Sequence, residues 1–337
     1  MRPLTFVILW ASVSGCIAGA SPEDDRGRGW HPAPVVDGGP LRAFTADSWW
    51  NTPLPEDAPD HPREEQILRY MLTADEAAGG CVHLAGAGDN RWGHPVYWAQ
   101  PGDPEYDVDV PTPVVPPEIR GLRIPNGALP ADNSDGPMAV VDVDRGYVAT
   151  FTDAAYDAEA DTWSASAATV TYLASNGLHV GTGQASDQRN IGSHRGNNGA
   201  VMMVRLDEVT AGRIEHVLKV ASGPEASRRH VFPMVGSDGD STHPDAPPQG
   251  LRFRIKPTVD LAALDLEPQA RVIAKALQEY GFYIGDSAGV TELKLEDTRA
   301  EGRGQLWPLR PTALCDLPLT PEYWDVLPEG YRVPVDD

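Results

Sequence analysis

Between residues 94 and 130 nine prolines interrupt the chain: Pro95, Pro101, Pro104, Pro111, Pro113, Pro116, Pro117, Pro125 and Pro130. Proline fixes φ and has no amide hydrogen, so it is expelled from helix interiors and from the middle of sheets. This stretch is therefore confined to loops and extended edge segments. With 32 prolines and 33 glycines in 337 residues, the chain has room only for short elements between them. Runs 138–143 and 147–152 are β-prone and flank Asp144-Arg145-Gly146, which reads as a hairpin turn. Further strands are expected at 167–173, 201–205, 216–221, 251–255 and 292–295. A helix is expected over 62–78, where Ile67, Leu68, Met71 and Leu72 form a stripe that Gly79-Gly80 ends. A second is expected over 267–280, with Val272, Ile273, Ala276 and Leu277 on one face and Gly281 as its stop. A single helical turn is expected at 207–212. Many short strands and few helices predict a mainly-β fold, a β-sandwich or jelly-roll-like domain with a few short helices.

The N-terminus reads MRPLTFVILWASVSGC. Arg2 is followed by a short apolar run, then by small residues before Cys16, the order of a secretory signal. The run is too short to span a bilayer as a helix. Val13-Ser14-Gly15-Cys16 resembles a bacterial lipobox, in which the cysteine is acylated and becomes the mature N-terminus. The expected organisation is a lipoprotein signal peptide at 1–15, a flexible Gly- and Pro-rich tether at 16–43, and one β-rich domain at 44–337. Such a chain is exported and held by lipid to the cell envelope, at the outer membrane or the outer face of the cell membrane.

The 49 acidic and 27 basic residues give a net charge of −22, which repels phosphate backbones and excludes nucleic acid as a partner class. A highly anionic polymer is disfavoured on the same ground unless a local basic patch overrides the mean. After Cys16 the only cysteines are Cys81 and Cys315; in an oxidising compartment they pair most simply as a disulfide. There is no GxSxG elbow, HExxH helix, P-loop, GxGxxG or EF-hand loop, so no cofactor and no metal are expected. Asp238-Gly239-Asp240-Ser241-Thr242 has the look of a calcium loop, but DGD is common in turns.

Two segments carry candidate chemistry. The polar loop 175–199 contains Asn190, His194, Arg195, Asn197 and Asn198, which suits binding or catalysis on a rigid scaffold. The segment 89–98 sets Arg91, Trp92, His94, Tyr97 and Trp98 close together, a composition resembling a sugar platform. His194, Arg195, Tyr97 and His94 are the catalytic candidates; Asn190, Asn197, Asn198, Trp92, Trp98 and Arg91 are the substrate-binding ones. If they converge where the two segments meet, Arg or Asn could neutralise a uronate carboxylate while His and Tyr move protons, as in a polysaccharide lyase. A glycoside hydrolase needs instead two facing carboxylates, for which Asp135, Asp142, Asp144, Asp153, Asp238 and Asp286 are candidates. Asp142 and Asp144 read as a solvated hairpin end, and His216 as a structural histidine.

Ser48-Trp49-Trp50-Asn51-Thr52-Pro53-Leu54, the loop 190–199, Asp207-Glu208 with the segment 212–218, and Arg254-Ile255-Lys256-Pro257 through Leu261 are similar to a family of exported actinobacterial and myxobacterial proteins with an N-terminal lipoprotein signal. The helix ending Gln278-Glu279-Tyr280-Gly281 completes the set. The resemblance covers most of the chain after residue 44 and implies one domain, without transferring a catalytic assignment. The functional expectation is a cell-surface carbohydrate-active protein that cleaves a polysaccharide as lyase or glycoside hydrolase. The alternative is a non-catalytic surface lipoprotein that binds glycan or a protein partner.

Overall fold

A computed structural model describes residues 30–74, 80–111, 115–179, 190, 196, 199–223, 226 and 228–333. In chain order the elements are α1 (Glu64–Thr73), β1 (His83–Ala85), β2 (Val96–Trp98), β3 (Glu105–Tyr106), β4 (Leu122–Arg123), β5 (Met138–Asp142) and β6 (Tyr147–Thr152). There follow β7 (Ala155–Asp157), β8 (Thr162–Ser164), β9 (Ala167–Tyr172), α2 (Leu206–Thr210), β10 (Leu218–Ser222) and β11 (Arg252–Ile255). The last are α3 (Pro268–Glu279), β12 (Phe282–Ser287), β13 (Glu292–Lys294) and β14 (Trp324–Val326). The protein is mainly β with few short helices, as the sequence predicts.

One six-stranded sheet has the order β1-β13-β10-β12-β11-β14, and a four-stranded sheet has the order β2-β5-β6-β9. Pairs β3-β4 and β7-β8 form small ribbons. The pairs β1/β13, β10/β12 and β2/β5 run parallel, so both larger sheets are mixed. The 138–152 hairpin forms as expected: Asp142 pairs with Tyr147, and the buried Asp142 carboxylate accepts from Arg145 N at 2.9 Å. That places Asp142 inside the turn as a structural group; it is not a solvated end.

Alternation along the strands assigns each side chain to a layer. From the six-stranded sheet, Leu218, Val220, Phe253, Phe282, Ile284 and Leu293 pack with Ile67, Leu68 and Met71 of α1 and with Ile273 and Leu277 of α3. Another cluster joins Tyr283 of that sheet to Val96, Trp98, Val141 and Val148 of the four-stranded one. The remaining face of the four-stranded sheet packs Tyr97, Val140, Phe151 and Val170 against Val108, Ile119 and Leu122.

Three sequence expectations are adjusted. α1 spans Glu64–Thr73, with extended backbone at Ala74, and 75–79 lie outside the described residues. Residues 201–205 form no strand; Val204 makes only an isolated bridge with Leu295. β1, β2, β3, β4, β7, β8, β12 and β14 are not among the expected strands. The Cys81–Cys315 disulfide is present, with Cα atoms 5.1 Å apart. No helix among the described residues is long and apolar enough to cross a membrane.

Candidate functional site

The segment 89–98 does not act as one platform, because a strand sends successive side chains to opposite faces. Tyr97 is fully buried; its hydroxyl donates to Leu129 O at 2.8 Å and accepts from Leu129 N at 2.9 Å. Burial holds its phenol well above the ordinary value, so it stays protonated as an internal strut, not a proton-transfer group. Trp98 is buried on the other face with Arg205 over its ring at 5.8 Å. Arg91 is exposed and ion-paired to Asp132. Asn190 is buried, its amide donating to Ser175 Oγ and Leu178 O while Oδ1 accepts from Tyr172 N. It organises the chain among the described residues. Cys16, His194, Arg195, Asn197 and Asn198 lie outside the described residues.

Trp92 and His94 do face a common cavity of about 340 Å³. Its walls come from both larger sheets: Thr150 and Thr152 of β6, Thr169 of β9, Lys219 of β10, Asp286 of β12 and Lys294 of β13. Asn133 and Asp135 complete it from the segment before β5, and Gly199 reaches it from the end of the polar loop. The approach of Gly199 is close: a Cβ there would stand 3.5 Å from Lys219 Nζ. Gly199, just after the 190–198 loop, therefore stands beside Trp92 and His94; of the loop itself only Asn190 and Gly196 are among the described residues, and neither lines this cavity.

Electrostatically the cavity holds a balanced polar set. Lys219 Nζ lies 2.7 Å from Asp286 Oδ2, and Lys294 Nζ lies 2.7 Å from Glu292 Oε1 while passing 5.5 Å from the Trp92 ring centroid. His94 is anchored by its own backbone, whose N–H donates to Leu295 O at 2.9 Å, and its ring hydrogen-bonds the Met138 backbone. Its Nε2 is buried and has no partner. Burial first, then the charges of Lys219 and Lys294, lower its pKa to about 3. The ring is therefore neutral at pH 7, and Nε2 offers a lone pair. A buried acceptor left unmet costs about 1–3 kcal/mol, so a ligand hydroxyl placed there is favoured. Trp92 is 40% exposed and offers a ring face at the rim.

Sequence reasoning named His94, Trp92, Asp135 and Asp286 but missed Lys219, Lys294 and the threonines. One signal was available. The chain has only four lysines, and two of them sit between apolar neighbours, in Leu218-Lys219-Val220 and Leu293-Lys294-Leu295. A lysine inside a strand-forming apolar run implies a wet or charged surface on that face.

Three other polar clusters are held together by contacts within the protein. His216 Nε2 and Glu208 Oε1 are 3.0 Å apart in the interior, the structural role expected for His216. The Asp60, Glu64 and Asp325 carboxylates converge within 4.8 Å, but Lys256 Nζ stands 3.6 Å from Glu64 and 3.3 Å from Asp325, and Arg254 is 2.8 Å from Asp325. Protein cations already supply the countercharge there. In the 238–242 turn Asp238 accepts from Gln249, and Ser241 Oγ is 2.8 Å from Tyr70 Oη. No family model, curated protein or solved structure matches the chain.

Proposed function

We propose that this protein is a carbohydrate-active component of the cell surface, anchored by lipid at Cys16, whose cavity takes one sugar unit of a glycan and hydrolyses its glycosidic bond. The observation that carries the reading is that Asp135 and Asp286, far apart in sequence, line the same cavity as His94, whose buried Nε2 has no partner, and the half-exposed Trp92. Glycoside hydrolysis needs two carboxyl groups across the scissile bond, one to protonate the leaving oxygen and one to attack or to activate water. Asp286, held as a carboxylate by Lys219, suits the second task, which leaves the first to Asp135 at the mouth. Trp92 would stack on a pyranose face, and Thr150, Thr152, Thr169 and Asn133 would meet hydroxyls. The lyase route fits the described residues less well, since Tyr97 and Arg91 do not face this cavity.

A second reading, glycan binding without cleavage, is favoured by the His94 ring. With a pKa of about 3 it would resist taking a full proton at pH 7 by about 5 kcal/mol, so it serves as a hydrogen-bond acceptor and not as a general base. The test is a polysaccharide panel read by new reducing ends and by the ultraviolet absorbance of unsaturated uronic products. Hydrolysis gives reducing ends without that absorbance, and D135N and D286N each lower the rate by roughly a hundredfold or more. Reducing ends with the absorbance point to a lyase. Binding with neither leaves the non-catalytic reading, and a panel neither bound nor cut rejects the carbohydrate reading. Anchoring is read separately: Cys16→Ser should release the protein to the soluble fraction, and unchanged membrane association would refute it.

A further inference from the structure

A second cavity, of about 470 Å³, lies between the segment 30–40 and α2, walled by Trp30, Pro32, Pro34, Trp98 and Leu206. That volume falls in the range of small-molecule sites, about 300–1,000 Å³. Its lining includes three charged side chains: Asp207, Glu296 and Arg303. Arg303 is committed, with Nη1 2.7 Å from Glu296 Oε1 and 2.9 Å from Glu301 Oε2, and its guanidinium 4.2 Å from the Trp30 ring centroid. Both oxygens of Glu296 are occupied, the other accepting from Leu206 N at 2.8 Å. Asp207 Oδ1 is held by Arg205 Nε at 3.2 Å.

Two buried atoms in this lining remain without a partner: Asp207 Oδ2, an acceptor, and Trp30 Nε1, a donor. Each is a polar group whose hydrogen-bonding capacity the protein leaves unused. Burial pushes Asp207, Glu296 and, most of all, Glu301 toward their neutral forms, yet the neighbouring acids Asp207, Glu208, Glu296 and Glu301 outnumber Arg205 and Arg303 and the whole chain carries −22, so the cavity favours a cation over an anion. We propose that this cavity binds a small primary amine with an apolar body and a carbonyl beside the amine, the ammonium donating to Asp207 Oδ2 and the carbonyl accepting from Trp30 Nε1. Proline and tryptophan walls cover the apolar body. Burial raises the Asp207 carboxyl above its ordinary value, and an ammonium in contact would draw it back down. The site is independent of the carbohydrate reading, since no residue of this lining faces the His94 cavity.

The test is calorimetric titration of the full-length protein with four probes: L-phenylalaninamide, N-acetyl-L-phenylalaninamide without the cation, N-acetyl-L-phenylalanine with an anion, and phenethylamine without the carbonyl. L-phenylalaninamide should bind about tenfold or more tighter than its acetylated form, the size of one charge-assisted hydrogen bond. The anion should bind most weakly. D207N should abolish the preference for the amine. W30F, which keeps an aromatic ring but loses the indole N–H and part of the ring face, should weaken L-phenylalaninamide more than phenethylamine; that difference decides the matter if D207N does not fold. Equal binding of cation, neutral and anion, no binding of any probe at millimolar concentration, or amine binding indifferent to both substitutions would each overturn the proposal.

Discussion

Lys219 Nζ stands 2.7 Å from Asp286 Oδ2, tying β10 to β12 at the wall of the His94 cavity. The parallel register of these strands shifts between Val220 and Ala221, so Asp286 lies opposite Ala221, two residues along from Lys219. Both side chains are largely covered, at 11% and 21% exposure. Removing one partner strands the other charge in a part-buried site, whereas removing both does not. K219M and D286N should therefore each cost about 1–3 kcal/mol, and the double variant should cost less than their sum by about 1 kcal/mol. Guanidinium unfolding of the four proteins measures the cycle; strict additivity would show the pair to be energetically uncoupled.

The disulfide closes a sequence separation of 234 residues. Cys81 precedes β1, and the chain around Cys315 is stitched beside it by Leu84 N to Pro311 O and Leu319 N to Gly80 O, both 2.7 Å. In the chain-entropy account a loop this long stabilises by about 5 kcal/mol, because the cross-link restricts the unfolded chain. The double variant C81S/C315S should lose about that much, with a native fold at low denaturant held by Leu314, Leu317 and Leu319 in the core. An unchanged unfolding midpoint would reject this contribution.

The sequence made α3 and the 138–152 hairpin legible because each carries a local signal. Ile273, Ala276 and Leu277 are buried on one helical face as their spacing predicts, and turn residues mark the hairpin. β12 carried none. Phe282-Tyr283-Ile284-Gly285-Asp286 begins directly after the helix stop, includes glycine and aspartate, and is buried on both faces, so no alternation of polar and apolar residues shows. The aromatic group of 89–98 misled for the opposite reason. Its local composition suggested a platform, but β2 sends Tyr97 and Trp98 into different core layers. The cavity itself joins residues 94, 135, 219, 286 and 294, which only strand pairing brings together. Composition and spacing hold no trace of that pairing.

Gly281 ends α3 with φ +72°, and its N–H donates to Ala276 O at 3.1 Å. A Cβ on it would stand 2.1 Å from Phe253 O, a backbone atom of β11 that cannot step aside. Both the left-handed conformation and the contact oppose any side chain. G281A should destabilise the fold by about 3 kcal/mol or more. Gly289, whose added Cβ meets nothing within 4 Å, is the control, and G289A should change stability by no more than about 0.5 kcal/mol. Thermal unfolding of both variants checks the contrast; similar losses in the two would show that the close approach to Phe253 is not what selects glycine.

His94 should make the protein acid-sensitive in a way that one substitution removes. Burial and the nearby Lys219 and Lys294 lower its pKa from 6.5 to about 3. The unfolded chain takes up a proton as pH falls through 6.5, while the native state refuses it until about 3. Protonation therefore favours the unfolded state across that window, and stability present above pH 6.5 is lost as pH falls toward 3. The limit of the loss is about 5 kcal/mol, from the size of the shift. H94N keeps a donor near the Met138 backbone and cannot titrate, so the difference in stability between wild type and H94N should shift against wild type by up to that amount on acidification. Carboxylates common to both proteins cancel in the comparison. Ring-carbon NMR gives a second readout: the His94 resonances should stay at neutral-imidazole positions through the range where exposed histidines titrate. A His94 midpoint near 6.5 would mean that water or a cavity ion already meets Nε2, and the acceptor role assigned to it would fall.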